Sequence, residues 1–137
     1  MDTTQLTQLV TKAVKQAIAQ DKDGALTTLH EISKDGDFQI YAACCGFAQY
    51  GKAALIKLYG DQAPTPDTGG WGFQALDGAS PPELFANRFL VAYANDDKVT
   101  APALFRTALE SEQYVESVWA LLGNCAALAR MAASARP

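Results

Sequence analysis

The chain has 137 residues, of which 49% are hydrophobic and 19% charged, so its composition suits one globular domain and excludes a disordered chain. Its formal net charge is −4 at pH 7 and its lysines and arginines are scattered, which argues against nucleic-acid binding. The sequence contains no run of about 20 uncharged apolar residues, so we predict no membrane span. The first ten residues lack the basic and apolar regions of a signal peptide. We therefore expect a cytoplasmic protein whose partners are neither nucleic acids nor membranes.

The hydrophobic pattern predicts an all-α fold. The chain contains 25 alanines, and alanine has the highest helix propensity of the amino acids. Apolar residues recur at the i, i+3, i+4, i+7 spacing of helices, and no segment alternates as a half-buried strand would. We predict a single-domain bundle of about six helices: five over residues 4–20, 24–34, 38–59, 81–94 and 112–133, and a fifth in chain order that follows a cap at Thr100 and buries Leu104, Phe105, Ala108 and Leu109.

Polar residues before these segments predict where the helices begin. Ser80, Pro81 and Glu83 form the pattern of a capping box at the start of the fourth helix. Aspartate and threonine are also favoured N-caps. On this basis we predict caps for the second, third and fifth helices at Asp23, Asp37 and Thr100.

The third and sixth helices are long and apolar on nearly every side, which is typical of central helices surrounded by others. Polar and aromatic side chains within and beside them are candidates for lining a ligand cavity: Tyr41, Gln49, Tyr50, Trp119 and Asn124. The alternative is that the two amides are buried and hydrogen-bonded to neighbouring helices. If Trp119 lies in the core, its replacement by alanine costs about 3–5 kcal/mol.

A long segment, about residues 60–80, separates the third and fourth helices and contains the sequence PTPDTGGWGFQALDGASPP. Long loops in compact domains are often functional, and we take Trp71, Phe73 and Leu76 as candidate contacts for a partner or ligand. Burying one tryptophan contributes at most about 4–6 kcal/mol, whereas ordering one residue costs about 1–2 kcal/mol. We therefore expect GWGFQAL to dock on the helices and the preceding DQAPTPDTG to be mobile.

The sequence predicts no catalytic, cofactor-binding or metal-binding residues. Cys44 and Cys45 are adjacent in a helix, and neither they nor Cys125 and His30 have the spacing of a zinc site. Three cysteines without a secretion signal are typical of reduced thiols. The glycines around Trp71 lack the lysine and serine or threonine of a P-loop.

These observations favour a non-catalytic module for protein–protein interaction or regulation, acting in an unknown process, with a homodimer as one form of it. The alternative is a small-molecule-binding protein or an enzyme that uses a cavity between the two long helices. That alternative requires a pocket of about 300 Å³ or more with a few convergent polar groups.

Overall fold

The computed structural model describes residues 1–72 and 78–135, which form six α-helices and no strand. The helices are α1 (Thr3–Ile18), α2 (Lys22–Ser33), α3 (Asp37–Tyr59), α4 (Pro81–Ala94), α5 (Thr100–Leu109) and α6 (Tyr114–Ser134). Two short 3₁₀ turns, Gly60–Gln62 and Pro66–Thr68, follow α3. The predicted all-α bundle of about six helices is confirmed.

The α3–α6 pair forms the most extensive helix–helix contact, and α6 also packs on α4 and α1. Gly51 allows this close approach, because a Cβ atom there would lie 2.8 Å from the Cys125 sulfur. Gly46 plays the same part against α1, where a Cβ atom would lie 2.7 Å from Val10 Cγ1. The largest fully buried side chains include Phe47, Phe89, Ile32, Leu121 and Leu122.

Burial of α3 is less complete than its apolar sequence suggests. Phe38, near its start, is 75% exposed, while Ile56 and Tyr59, near its end, are 45% and 53% exposed. Two of its neighbours are shorter: α3 has 23 residues and α6 has 21, whereas α1 and α4 have 16 and 14. At 1.5 Å per residue, α3 is about 10 Å longer than α1 and about 13 Å longer than α4. Its ends therefore present apolar side chains at the surface.

The predicted start of α4 at Ser80 is confirmed, but the Glu83 side chain bonds to the Ser80 hydroxyl rather than to the Ser80 backbone N–H of a capping box. The Glu83 N–H donates to Ser80 Oγ at 3.4 Å, and the Ser80 hydroxyl donates to Glu83 Oε1 at 3.0 Å. Pro81 is the first helical residue, where its missing N–H costs nothing because that group has no intrahelical acceptor.

The other three predicted caps are wrong. α2 is capped by Asp21, whose Oδ1 accepts the Gly24 N–H at 3.0 Å, so that Asp23 falls inside the first turn. Asp37 is the first residue of α3 rather than its cap. Thr100 is likewise the first residue of α5, and Asp97 accepts its N–H at 3.0 Å. In each case the chain becomes helical before or at the predicted cap. Within the described ranges, no helix combines the length and hydropathy needed to cross a bilayer.

Candidate functional site

The backbone of Trp71 is fixed to the end of α4 by a single side-chain amide. The Trp71 N–H donates to Asn95 Oδ1 at 2.7 Å, and Asn95 Nδ2 donates to the Trp71 carbonyl at 2.9 Å. Gly70 makes this approach possible, because its φ is +72° and a Cβ atom there would lie 2.6 Å from Asn95 Oδ1. Trp71 therefore has a defined position on the helices.

The Trp71 ring packs beside the exposed apolar side chains at the end of α3. It lies edge-to-face against Tyr59, with ring centroids 5.4 Å apart and an interplanar angle of 76°. Trp71 is half-buried and borders a cleft of about 690 Å³. Ile56, which lies about one turn before Tyr59 on α3, borders the same cleft. We call Ile56, Tyr59, Trp71 and this adjoining cleft the Trp71 surface.

Charged groups also border this cleft. Lys52 lies on α3, and Asp96 and Asp97 lie just after α4. The Asp97 carboxylate accepts the N–H of Thr100, the first residue of α5, and its hydrogen bonds with Thr100 hold the pKa of its carboxyl below the usual value. The cleft is therefore bordered by one lysine and two carboxylates as well as by apolar side chains.

The two other candidate contacts, Phe73 and Leu76, lie outside the described residues. The segment before Trp71, which we expected to be mobile, contains local hydrogen bonds. The Thr65 N–H donates to Thr68 Oγ1 at 2.8 Å, and the Gly70 N–H donates to the Thr65 carbonyl at 3.0 Å. Its mobility stays a prediction, as does docking of the residues after Trp71.

The five candidate cavity residues face different neighbours. Tyr41 packs edge-to-face against Phe89 and Phe105, in contact with α4 and α5. Gln49 is exposed and accepts a 2.8 Å hydrogen bond from the Tyr93 hydroxyl.

The other three candidate cavity residues also lie at different parts of the bundle. Tyr50 lies 3.2 Å from the Thr11 hydroxyl on α1, and Asn124 is exposed on α6. Trp119 is half-buried and borders a cleft between α6 and the junction of α1 with α2, rather than the α3–α6 contact.

This second cleft, which we call the Trp119 cleft, has a volume of about 300 Å³. Its lining includes Ala17, Gln20, Lys22, Trp119, Gly123 and Arg130. Sequence reasoning identified Trp119 but missed the two cations. Arg130 is the only basic residue in α6, and a lone cation in an apolar helix was the available signal.

The three thiols are unsuited to nucleophilic chemistry. Burial raises the pKa of Cys44 and Cys45, and it raises the pKa of Cys125 to about 12, so each is protonated at neutral pH. A hydrogen bond with Tyr41 lowers the pKa of Cys45 but does not outweigh its burial. In residues 1–72 and 78–135, no three histidine, cysteine or acidic side chains cluster as metal ligands would.

A smaller apolar groove, of about 190 Å³, lies among α2, α3 and α6 and is bordered by Leu26, His30, Tyr114 and Val115. The Tyr114 hydroxyl is buried and has no hydrogen-bond partner among the described residues. Burial is also the main reason that its pKa is raised.

Comparison with known proteins adds no further assignment, because no family model, curated protein or solved structure matches the chain.

Proposed function

We propose that this protein is a non-catalytic interaction module that binds a protein partner through the Trp71 surface. The observation that carries the proposal is the pair of hydrogen bonds from Asn95, which fix Trp71 beside Tyr59 where both rings can be reached. An aromatic pair held in place before binding loses little conformational freedom when a partner arrives.

The composition of the Trp71 surface suits a protein partner. Tryptophan and tyrosine are enriched among the residues that dominate binding energy at protein interfaces. Tyr59 and Ile56 are exposed, and Lys52 and Asp96 border the adjoining cleft, so the surface combines apolar and charged groups as protein interfaces do. We infer that the partner inserts an apolar side chain beside Trp71 and Tyr59.

The test is a selection from a library of random peptides, followed by affinity measurements on three proteins: wild type, Tyr59→Ser and Val115→Ser. Val115 is the matched control, because it is an exposed apolar residue on α6 that does not border the Trp71 surface. We expect selected peptides to contain an apolar residue and to bind Tyr59→Ser at least tenfold more weakly, with Val115→Ser unchanged.

Light scattering over a range of concentrations supplies the second arm. Self-association that Tyr59→Ser abolishes and Val115→Ser leaves intact would identify the partner as a second copy of this chain. A monomer at all concentrations, combined with no peptide whose binding depends on Tyr59, would overturn the proposal.

A further inference from the structure

The Trp119 cleft differs in charge from the cleft of the Trp71 surface, which Lys52, Asp96 and Asp97 border. Lys22 and Arg130 border the Trp119 cleft, and among the described residues no aspartate or glutamate does. Asp21, which lies between two lining residues in sequence, directs its carboxylate to the first turn of α2, where it accepts the Gly24 N–H at 3.0 Å. A chain with a net charge of −4 therefore has a locally cationic cleft.

The guanidinium of Arg130 is held in place and retains free donors. Its Nη1 donates to the carbonyl oxygens of Ala17 at 2.9 Å and Ile18 at 3.3 Å, the last residues of α1. Within residues 1–72 and 78–135, its Nη2 and Nε atoms bond to no protein atom. That edge of a guanidinium matches the two oxygens of a carboxylate or phosphate.

The apolar part of the cleft suits a flat ring. Trp119 is half-buried, and no other aromatic ring among the described residues packs against it. Gly123 lies one turn further along α6, on the same side of the helix. A Cβ atom added at Gly123 would have no neighbour within 4 Å, so the cleft that Trp119 and Gly123 both border is open at Gly123.

We propose that the Trp119 cleft binds a small aromatic anion. The carboxylate or phosphate pairs with Arg130 and Lys22, and the ring lies beside Trp119 over the bare backbone of Gly123. The cleft volume of about 300 Å³ accommodates one ring with its anionic group. This site shares no lining residue with the Trp71 surface and does not depend on the function proposed for that surface.

The test uses a Trp71→Phe background, in which Trp119 is the only indole. Its fluorescence is titrated with benzoate, phenyl phosphate, inorganic phosphate and the neutral analogue benzamide. We expect saturable binding of benzoate or phenyl phosphate, with benzamide and inorganic phosphate at least tenfold weaker. The stronger of the two aromatic anions distinguishes a carboxylate ligand from a phosphate ligand.

Three variants locate the binding. Lys22→Gln and Arg130→Gln should each weaken it about tenfold, whereas Arg106→Gln, the same charge change at an exposed position on α5, should leave it unchanged. A Cβ atom at Gly123 would meet no neighbour within 4 Å, and Gly123 borders the cleft, so Gly123→Leu should retain the fold and abolish binding. No saturable binding, equal binding of benzamide, or full binding by a folded Gly123→Leu variant would overturn the proposal.

Discussion

At the scale of single residues, Asn95 is the side chain on which the position of Trp71 depends. It is exposed at the end of α4, and both of its amide atoms bond to the backbone of a residue 24 positions earlier in the chain. An exposed hydrogen bond contributes only about 0.5–1.5 kcal/mol to stability. Its replacement should therefore release Trp71 without unfolding the domain.

We predict that Asn95→Ala, in a Trp119→Phe background, shifts the fluorescence of Trp71 to longer wavelength and increases its quenching by acrylamide. The cause is loss of both hydrogen bonds, which frees the indole from its contact with Tyr59. Asn124→Ala removes another exposed asparagine, on α6, and should change neither measurement. An unchanged spectrum for Asn95→Ala would show that the ring contact alone holds Trp71.

The sequence identified Trp71 but not Asn95. A tryptophan among glycines in a long loop is a local signal, and it predicts Trp71 as a candidate contact, which stays a prediction. The amide that bonds to it comes from a different element, and an asparagine just after a helix is more simply interpreted as part of the turn. Only the packing of the loop against α4 brings the two together.

At the scale of elements, the distinction between local signals and contacts made by distant parts of the chain explains which helix starts were predicted correctly. The start of α4 has a serine, a proline and a glutamate at fixed spacing, so one cap satisfies all of the local preferences. At α2 and α5 several acidic or hydroxyl side chains lie within four residues, and each is an acceptable cap. The sequence does not rank them, because the choice depends on how the preceding helix ends.

The cap of α5 leads to a pH-dependent prediction. Asp97 accepts hydrogen bonds from the N–H groups of Val99 and Thr100, and the pKa of its carboxyl is lower in the folded chain than its usual value of 3.8. A lowered folded-state pKa means that the stabilisation is present above the unfolded pKa and is lost as the pH falls through the folded pKa. It should therefore be constant above about pH 4 and disappear at lower pH.

The measurement is the melting temperature of wild type, Asp97→Ala and Asp97→Asn between pH 2 and pH 7. Asp97→Ala should melt below wild type near neutral pH, and the difference should shrink as the pH falls below about 4. Asparagine is also a good N-cap and does not titrate, so Asp97→Asn should remain closer to wild type. A difference between wild type and Asp97→Ala that is independent of pH would contradict the assignment of this cap.

At the scale of the whole molecule, the helical periodicity predicted the fold because it records which face of each helix is buried. It did not predict the clefts. The Trp119 cleft exists because the junction between α1 and α2 meets the middle of α6, and the Trp71 surface exists because Asn95, just after α4, holds Trp71 against Tyr59 at the end of α3. Both features depend on relative helix positions, which are specified by contacts such as that of Gly51 with Cys125.

Leu121 and Trp119 lie close together on α6 but differ in burial, and this difference changes the expected effect of removing Trp119. Leu121 is fully buried, so Leu121→Ala leaves a closed cavity and should cost about 2–5 kcal/mol. Trp119 is half-buried at the edge of a cleft, so Trp119→Ala only widens a space that water already enters. Its cost should fall below the roughly 3–5 kcal/mol expected for a buried tryptophan.

Urea unfolding of both variants, followed by far-ultraviolet circular dichroism, makes the comparison without relying on the removed indole. We expect the midpoint to fall further for Leu121→Ala than for Trp119→Ala, with similar slopes for the two, since unfolding exposes nearly the same surface in each. A larger loss for Trp119→Ala would mean that the indole is a structural part of the core. The open cleft beside it, and with it the space for a ligand, would then be absent in solution.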